Sequence, residues 1–238
     1  MRIDWTKITK IVDETSDIKT FYLEVPEDFT WEEGSYTHMA LKGFNEGEKP
    51  NRGLVRHMSI CTLPNENTIG ITTRIRELCS EYKERLKTIK VGDKVALFKT
   101  LTNVPLRREN KIIYLLSAGV GLATLRPLAL SYLENQEDIN HVHSLNIDTS
   151  KEYLFTDLFQ TDESKNFTAE YVDDRKKYYE RVSQLAEDKE SIFYIVGSDE
   201  YIKENIELLL KNGISQEQIS LDKHDSELPE FFPEKKAM

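Results

Sequence analysis

Between Arg56 and Thr62 the chain reads Arg-His-Met-Ser-Ile-Cys-Thr, a guanidinium followed by hydroxyls three and six residues later. In an extended run Arg56, Met58 and Ile60 share one face, and His57, Ser59 and Cys61 the other. A guanidinium grips phosphate bidentately, and a nearby hydroxyl gives one directional bond to a ring nitrogen. That chemistry suits a flat, phosphorylated cofactor. On these residues alone a solvated strand arginine fits equally well.

Two other stretches carry related chemistry. Ser80 is placed to cap a helix whose apolar positions Tyr82, Leu86 and Ile89 lie on one side. The free N–H groups and partial positive charge of a helix start can hold a phosphate, although Glu81 competes with an anion there. A serine that merely caps a packing helix is the plainer reading. Further on, the apolar run Ile112–Leu116 enters Ser117-Ala118-Gly119-Val120-Gly121 and then a helix expected over Ala123–Leu133. Strand, glycine turn and helix in that order make a phosphate-binding unit of the α/β type. The dinucleotide fingerprint is incomplete. Thr124 stands at its third glycine, and Asn146, not an acid, follows the strand expected at His141–Leu145. A tight turn for packing stays open as the alternative.

The elements that position these groups fall into two halves. From Lys7 to Leu97 short strand-like runs alternate with turns: Ile18–Val25 ended by Pro26, Tyr36–Leu41 after Gly34, the Arg56 stretch, Thr68–Ile75 and Lys94–Lys99. Many short strands of this kind predict a small antiparallel barrel or sandwich. Pro105–Asn110 reads as a linker. Beyond it, His141–Leu145, Ile192–Val196 with Gly197-Ser198-Asp199 and the helix Glu200–Lys211, and Ile219–Leu221 predict a parallel sheet surrounded by helices. The expected domains are residues 1–105 and 106–238.

Composition narrows the classes. At 238 residues the chain suits two domains of about 100–130 residues. A hydrophobic content of 39%, with 11 Tyr and 10 Phe, is enough for packed cores. Net charge is −10 with no long basic run, which argues against nucleic acid and anionic membrane as partners. No apolar run reaches the length of a membrane span, and Met1–Trp5 lacks the apolar core of a signal peptide. Two cysteines, Cys61 and Cys79, without metal or cluster spacing suit a reducing cytoplasm. No metal site is expected: His141 and His143 share a strand face but lack a third ligand. Arg175-Lys176-Lys177 reads as a solvated helix face rather than a phosphate clamp.

The order of pieces resembles the ferredoxin–NADP reductase superfamily, nearest to short reductases without an iron–sulfur domain. The likeness runs from about Lys7 to His224. It rests on R-x-x-S at Arg56–Ser59, Ser80-Glu81-Tyr82-Lys83 opening a helix, Gly119-Val120-Gly121 after a buried strand, and Val196-Gly197 after a late one. The resemblance implies an N-terminal antiparallel β-barrel that binds FAD and a C-terminal α/β parallel-sheet domain that binds NAD(P)H. By that resemblance Arg56 and Ser80 contact the FAD pyrophosphate with Lys83 nearby, and the segment Arg56, His57, Met58, Ser59 holds the flavin. Ser59, next to the reactive nitrogen, is the catalytic residue. Thr72, Thr73 and Arg74 meet the pyrimidine edge, and Gly119, Gly121, Thr124 and Gly197 take the nucleotide. Phe231 or Phe232 is the aromatic that covers the flavin ring, with a loosely ordered tail as the plainer reading of residues 225–238. The sequence departs from the family where Met58 replaces its tyrosine, Ala123 its threonine, Val196 its cysteine, and Thr100-Leu101-Thr102-Asn103 its glycine-rich loop.

The implied activity is electron transfer from NAD(P)H through FAD to an acceptor: a ferredoxin, a flavodoxin, an oxygenase component or a small molecule. The rival is a flavin-binding electron-relay or redox-sensing module that does not itself oxidise NAD(P)H.

Overall fold

The computed structural model describes residues 2–232, and the chain divides into two compact units, Met1–Pro105 and Leu106–Met238. Strands β1 (Asp4–Asp13), β2 (Ile18–Leu23), β3 (Ser35–Leu41), β4 (Val55–Ser59), β5 (Ile69–Arg74) and β6 (Lys94–Thr102) form one antiparallel sheet in the first unit. Its order is β4-β3-β6-β1-β2-β5. The β-branched and aromatic residues of β2 bury Ile18, Phe21 and Leu23 completely. The chain just past β4 meets β5 where Cys61 N donates to Gly70 O and Gly70 N to Thr62 Oγ1, both at 2.9 Å. That contact curls the sheet into a barrel. A side chain at Gly70 would stand 2.8 Å from Cys61 Sγ and from Thr62 Cγ2, so the crossing needs glycine there.

Helix α1 (Glu81–Thr88) closes the barrel core with Tyr82 and Leu86, and the Tyr82 hydroxyl donates to Met39 O at 3.2 Å. Burying a side chain such as Leu86 contributes roughly 1.5–3 kcal/mol, which outweighs the modest propensity of so short a helix. Ser80 has the backbone angles of a cap (φ −70, ψ 160), but its hydroxyl makes no capping bond.

Strand β6 corrects one expectation. The residues read as a replaced loop, Thr100–Thr102, continue the strand and pair with β3 beyond a register shift. Lys99 absorbs the shift in a left-handed conformation, φ 53. Thr100 then bonds to Thr37, and Thr102 to Ser35 and Glu32.

In the second unit β7 (Lys111–Ala118), β8 (Ile139–Ile147), β9 (Phe167–Val172), β10 (Ile192–Val196) and β11 (Ile219–Leu221) are parallel, in the order β11-β10-β7-β8-β9. Helices α2 (Leu122–Glu134), α3 (Arg175–Leu185) and α4 (Asp199–Lys211) complete it. β10 is apolar and buried throughout and β7 is buried from Ile113 to Ser117, as strands covered on both faces must be. β9 was not legible, because past the buried Phe167 its residues are only half-buried on the sheet edge. β8 runs two residues beyond its expected end, so the residue that follows it is Asp148.

Gly34 takes φ 74, and an alanine Cβ there would lie 2.1 Å from Val104 O. Gly34→Ala is expected to cost about 1–3 kcal/mol in urea unfolding. Gly47→Ala, whose Cβ would meet nothing closer than 3.6 Å, should stay within about 0.5 kcal/mol. Equal midpoints for the two variants would contradict this account.

Candidate functional site: two cations at an open sheet seam

Away from the crossing at Cys61 and Thr62, β4 and β5 are not paired as strands; each is an edge of the sheet. An unpaired edge presents backbone N–H and C=O groups to whatever lies beside it. Arg56 lies on one limb of this seam. Its guanidinium donates to Val55 O at 2.7 Å and Gly53 O at 3.3 Å and sits 5.2 Å from the centroid of the buried Tyr82 ring. On the other limb the Thr73 hydroxyl accepts a hydrogen bond from Lys83 Nζ. Burial, and then the charge of Arg56, push the Lys83 ammonium down to about 8. Burial keeps the Tyr82 phenol protonated far above its ordinary range. The charge of Arg56 thus acts on Lys83, with a neutral ring beside the one and a neutral hydroxyl bonded to the other. An anion placed with them removes the repulsion, and the uncapped Ser80 hydroxyl, three residues before Lys83, adds a donor.

The rest of the segment divides by face. Met58 is buried in the barrel core, where Arg56 lies against Tyr82. His57 and Ser59 take the opposite face: His57 pairs with His38, Ser59 with Tyr36, and the Tyr36 and His57 rings stand 3.7 Å apart. The strand therefore does not bring His57 to the Arg56–Lys83 pair. Ser59 ends β4 two residues before the seam closes at Cys61. On β5 the Thr72 hydroxyl bonds to Thr20 at 2.8 Å and to the buried Cys61 thiol at 3.3 Å, and Arg74 pairs with Asp17 at 3.2 Å. Those side chains are engaged within the sheet; what the strand leaves at its edge is backbone. The Lys83–Thr73 bond was not foreseen, since nothing in either motif announces a partner ten residues away.

In the second unit, chain order reverses between β7 and β10, a switch point where α/β sheets open a crevice at their carboxyl ends. The turn Gly119–Gly121 runs directly into α2, with Gly119 at φ 52. A Cβ on Gly121 would stand 2.4 Å from Val196 O, so this glycine lets the turn close on the end of β10. Gly197 has a packing reason of its own: its Cβ would meet the Tyr201 ring at 2.4 Å. Thr124 donates to Asp222 Oδ2 at 3.3 Å, tying α2 to the residue just past β11. Asn146 is buried and donates to Ser117 Oγ at 2.9 Å.

Phe231 belongs to the core of the second unit, buried there, with Lys223 and Lys203 at 4.9 and 5.6 Å from its ring centroid. Covering a flavin requires it to leave that core. Phe232 packs half-buried against the same cluster, and residues 233–238 of the expected tail lie outside the described residues. His141 and His143 both bond to the Thr168 hydroxyl, at 2.8 and 2.7 Å, and burial pushes His143 down to about 4. Arg175 is committed to Glu200 and Glu204. Among the described residues no group of three or more His, Cys, Asp or Glu is placed for a metal ion, and no helix is long and apolar enough to cross a membrane.

No protein-family model matches the chain, and no curated protein matches it. Solved structures do. A ferredoxin NADP+ reductase from Neisseria gonorrhoeae with bound FAD and NADP superposes with a TM-score of 0.79 at 18% identity, covering 93% of this chain and 98% of that one. The cytochrome b5 reductase domain of Ulva prolifera nitrate reductase gives 0.74 at 15%, covering 92% and 96%. Ferredoxin-NADP+ reductase from Plasmodium falciparum gives 0.73 at 14%, covering 92% and 95%. This likeness shows that the chain has the two-domain fold of ferredoxin–NADP reductases, as the resemblance in sequence implied.

If Arg56 depresses Lys83, then Arg56→Leu raises the Lys83 pKa from about 8 toward its usual 10.5. NMR of the 13C-methylated lysines reads this directly, and an unmoved titration would show that burial alone sets the value.

Proposed function

We propose that the protein is an FAD-dependent oxidoreductase that takes a hydride from a reduced nicotinamide nucleotide and passes electrons to an acceptor. The observation that carries this reading is the Arg56–Lys83 pair at the open β4–β5 seam. A dianionic pyrophosphate answers two adjacent cations, and a flat heterocycle with its own donors and acceptors answers an unpaired strand edge. FAD carries both and, when bound, supplies the conversion between hydride and single-electron chemistry. In this reading Arg56, Lys83 and Ser80 hold the pyrophosphate, and the β5 backbone at Thr72–Arg74 reads the pyrimidine edge. Ser59 gives a hydrogen bond that tunes the reactive nitrogen. The fold supports the assignment, since the Neisseria protein that shares it holds FAD and NADP.

The switch point of the second unit is the place for the nucleotide, with the backbone of Gly119–Gly121 toward its phosphates. The acceptor we propose is an electron-carrier protein such as a ferredoxin, a flavodoxin or an oxygenase component. With a net charge of −10, an acidic carrier must meet a local basic patch.

The purified protein should be yellow and release FAD on denaturation, and Arg56→Ala should weaken FAD binding roughly 10–100-fold, the weight of one hydrogen bond to a charged group. Lys83 adds a pH signature. With its free-state pKa near 8 raised by the bound anion, binding takes up a proton above pH 8. FAD affinity should therefore be flat below pH 8 and fall by up to about tenfold per unit above it, and Lys83→Met should flatten the profile. Unchanged flavin content in Arg56→Ala would refute the site. A flavin-replete sample that oxidises neither NADH nor NADPH with an artificial acceptor would leave the electron-relay reading.

A further inference from the structure

The extension of β6 past Lys99 borders a cleft in the first unit, lined by Trp31, Glu32, Ser35, Thr100, Leu101 and Thr102. Its volume of about 290 Å³ lies at the small end of ligand pockets and suits a side chain or a short molecule, not a dinucleotide. None of the residues assigned to the flavin or the nucleotide lines it. The pairing of β3 with β6 sets Ser35 opposite Thr102. The turn before β3 brings Glu32 to them: Glu32 N donates to Ser35 Oγ at 3.1 Å, and Ser35 N to Glu32 O at 3.2 Å.

The donors of this lining can be counted. A carboxylate only accepts, so Thr102 gives its proton to Glu32 Oε1 at 2.9 Å, and Ser35 must then give its own to Thr102 at 3.0 Å. Thr37 donates to Phe98 O at 3.3 Å, so the Thr100 proton goes to Thr37 at 3.0 Å. The indole N–H of Trp31 donates to Thr62 O at 2.7 Å. Thr30, an exposed residue that also lines the cleft, is the one lining side chain with an uncommitted donor among the described residues. What the others offer a ligand is oxygen lone pairs and one negative charge, and among the described residues no cation pairs with Glu32.

We propose that this cleft binds a primary ammonium carried on an aliphatic stem. An ammonium has three donors and no acceptor, the complement of a wall whose hydroxyl protons are committed elsewhere. Glu32 supplies the countercharge, and Trp31 and Leu101 supply apolar surface for the methylenes, as such side chains find when they snorkel. Leu101 is 58% exposed, so covering it removes apolar area from water. A carboxylate or phosphate would meet a single free donor and the charge of Glu32. A guanidinium seeks two parallel bonds to one carboxylate, and here Oε1 already accepts from Thr102; a compact charge with diverging donors fits better. Ser35, 2% exposed and held at both its oxygen and its proton, keeps the row in place before a ligand arrives. A free diamine and the lysine side chain of a partner protein present the same group.

Two-dimensional 15N NMR of the full-length protein tests this without turnover, in physiological salt so that distant charges are screened. The probes are 1,4-diaminobutane, Nα-acetyl-lysine amide and butyrate. An amine should shift the amides of Glu32, Ser35, Thr100, Leu101 and Thr102 saturably, and butyrate should not. Glu32→Gln, which keeps an oxygen to accept from Thr102, should weaken the amine at least about tenfold, the weight of a hydrogen bond to a charged group. Glu187→Gln, which removes an exposed carboxylate of the second unit, should leave binding unchanged. Binding of the diamine alone assigns the site to free amines; equal binding of the capped lysine assigns it to a protein side chain. Absence of saturable shifts with both amines, equal shifts with butyrate, or equal losses in the two variants overturns the proposal.

Discussion

The burial of Lys83 within reach of the Arg56 charge is the constraint on which the candidate site of the first unit depends. Among the described residues neither cation pairs with a carboxylate; Arg56 leans on backbone carbonyls and the Tyr82 ring, Lys83 on the Thr73 hydroxyl. The cost appears in the lysine. Its folded pKa of about 8 lies below the value in an unfolded chain, so the unfolded state binds more protons between about pH 8 and 10.5. Stability of the unliganded protein therefore rises with pH through that window, the reverse of a lysine that has gained a partner. Burial beside a second cation thus costs stability wherever the lysine stays charged. Surface lysines do not behave in this way, because water screens them.

That arrangement depends on the sheet being closed at one point and open beside it. Gly70 allows the crossing at Cys61, Tyr82 anchors α1 through Met39 O, and α1 in turn carries Lys83 to Thr73. The positions are coupled. Losing the buried tyrosine would release the helix, and with it one of the two charges. The second unit uses glycine for a similar end, since Gly121 allows the turn after β7 to close on Val196 O at the switch point. In both units small residues set backbone against backbone, and the chemistry is placed at the rim of that contact.

Much of this was legible in the sequence, for identifiable reasons. Alternation alone separated Arg56 and Met58 from His57 and Ser59, and the strand pairing of Ser59 with Tyr36 agrees with it. The buried run Ile112–Leu116 and the glycines after it announced β7 and its turn, because a strand covered on both faces leaves little room for polar residues. What stayed hidden was of another kind. The extension of β6 past Lys99 hangs on a non-glycine residue in a left-handed conformation, which no propensity favours. β9 shows a half-buried pattern that reads as neither face. The end of β8 was set two residues early, because Asn146 resembles a turn residue but its amide is buried against Ser117.

Charge shows why the two units have to be read separately. A net charge of −10 suggests a chain that repels anions, yet within a Debye length of about 10 Å local groups outweigh the total. At the β4–β5 seam the local field comes from Arg56 and Lys83 and is positive. At the carboxyl edge of the parallel sheet it comes from Asp148, Asp173, Asp199 and Asp222, with Lys151 and Lys223 each neutralising one of them. The local field thus differs in sign between the two places, whatever the total charge. A fold does not by itself fix a function. Discrimination has to come from such local contrasts, because the architecture that carries them does not differ.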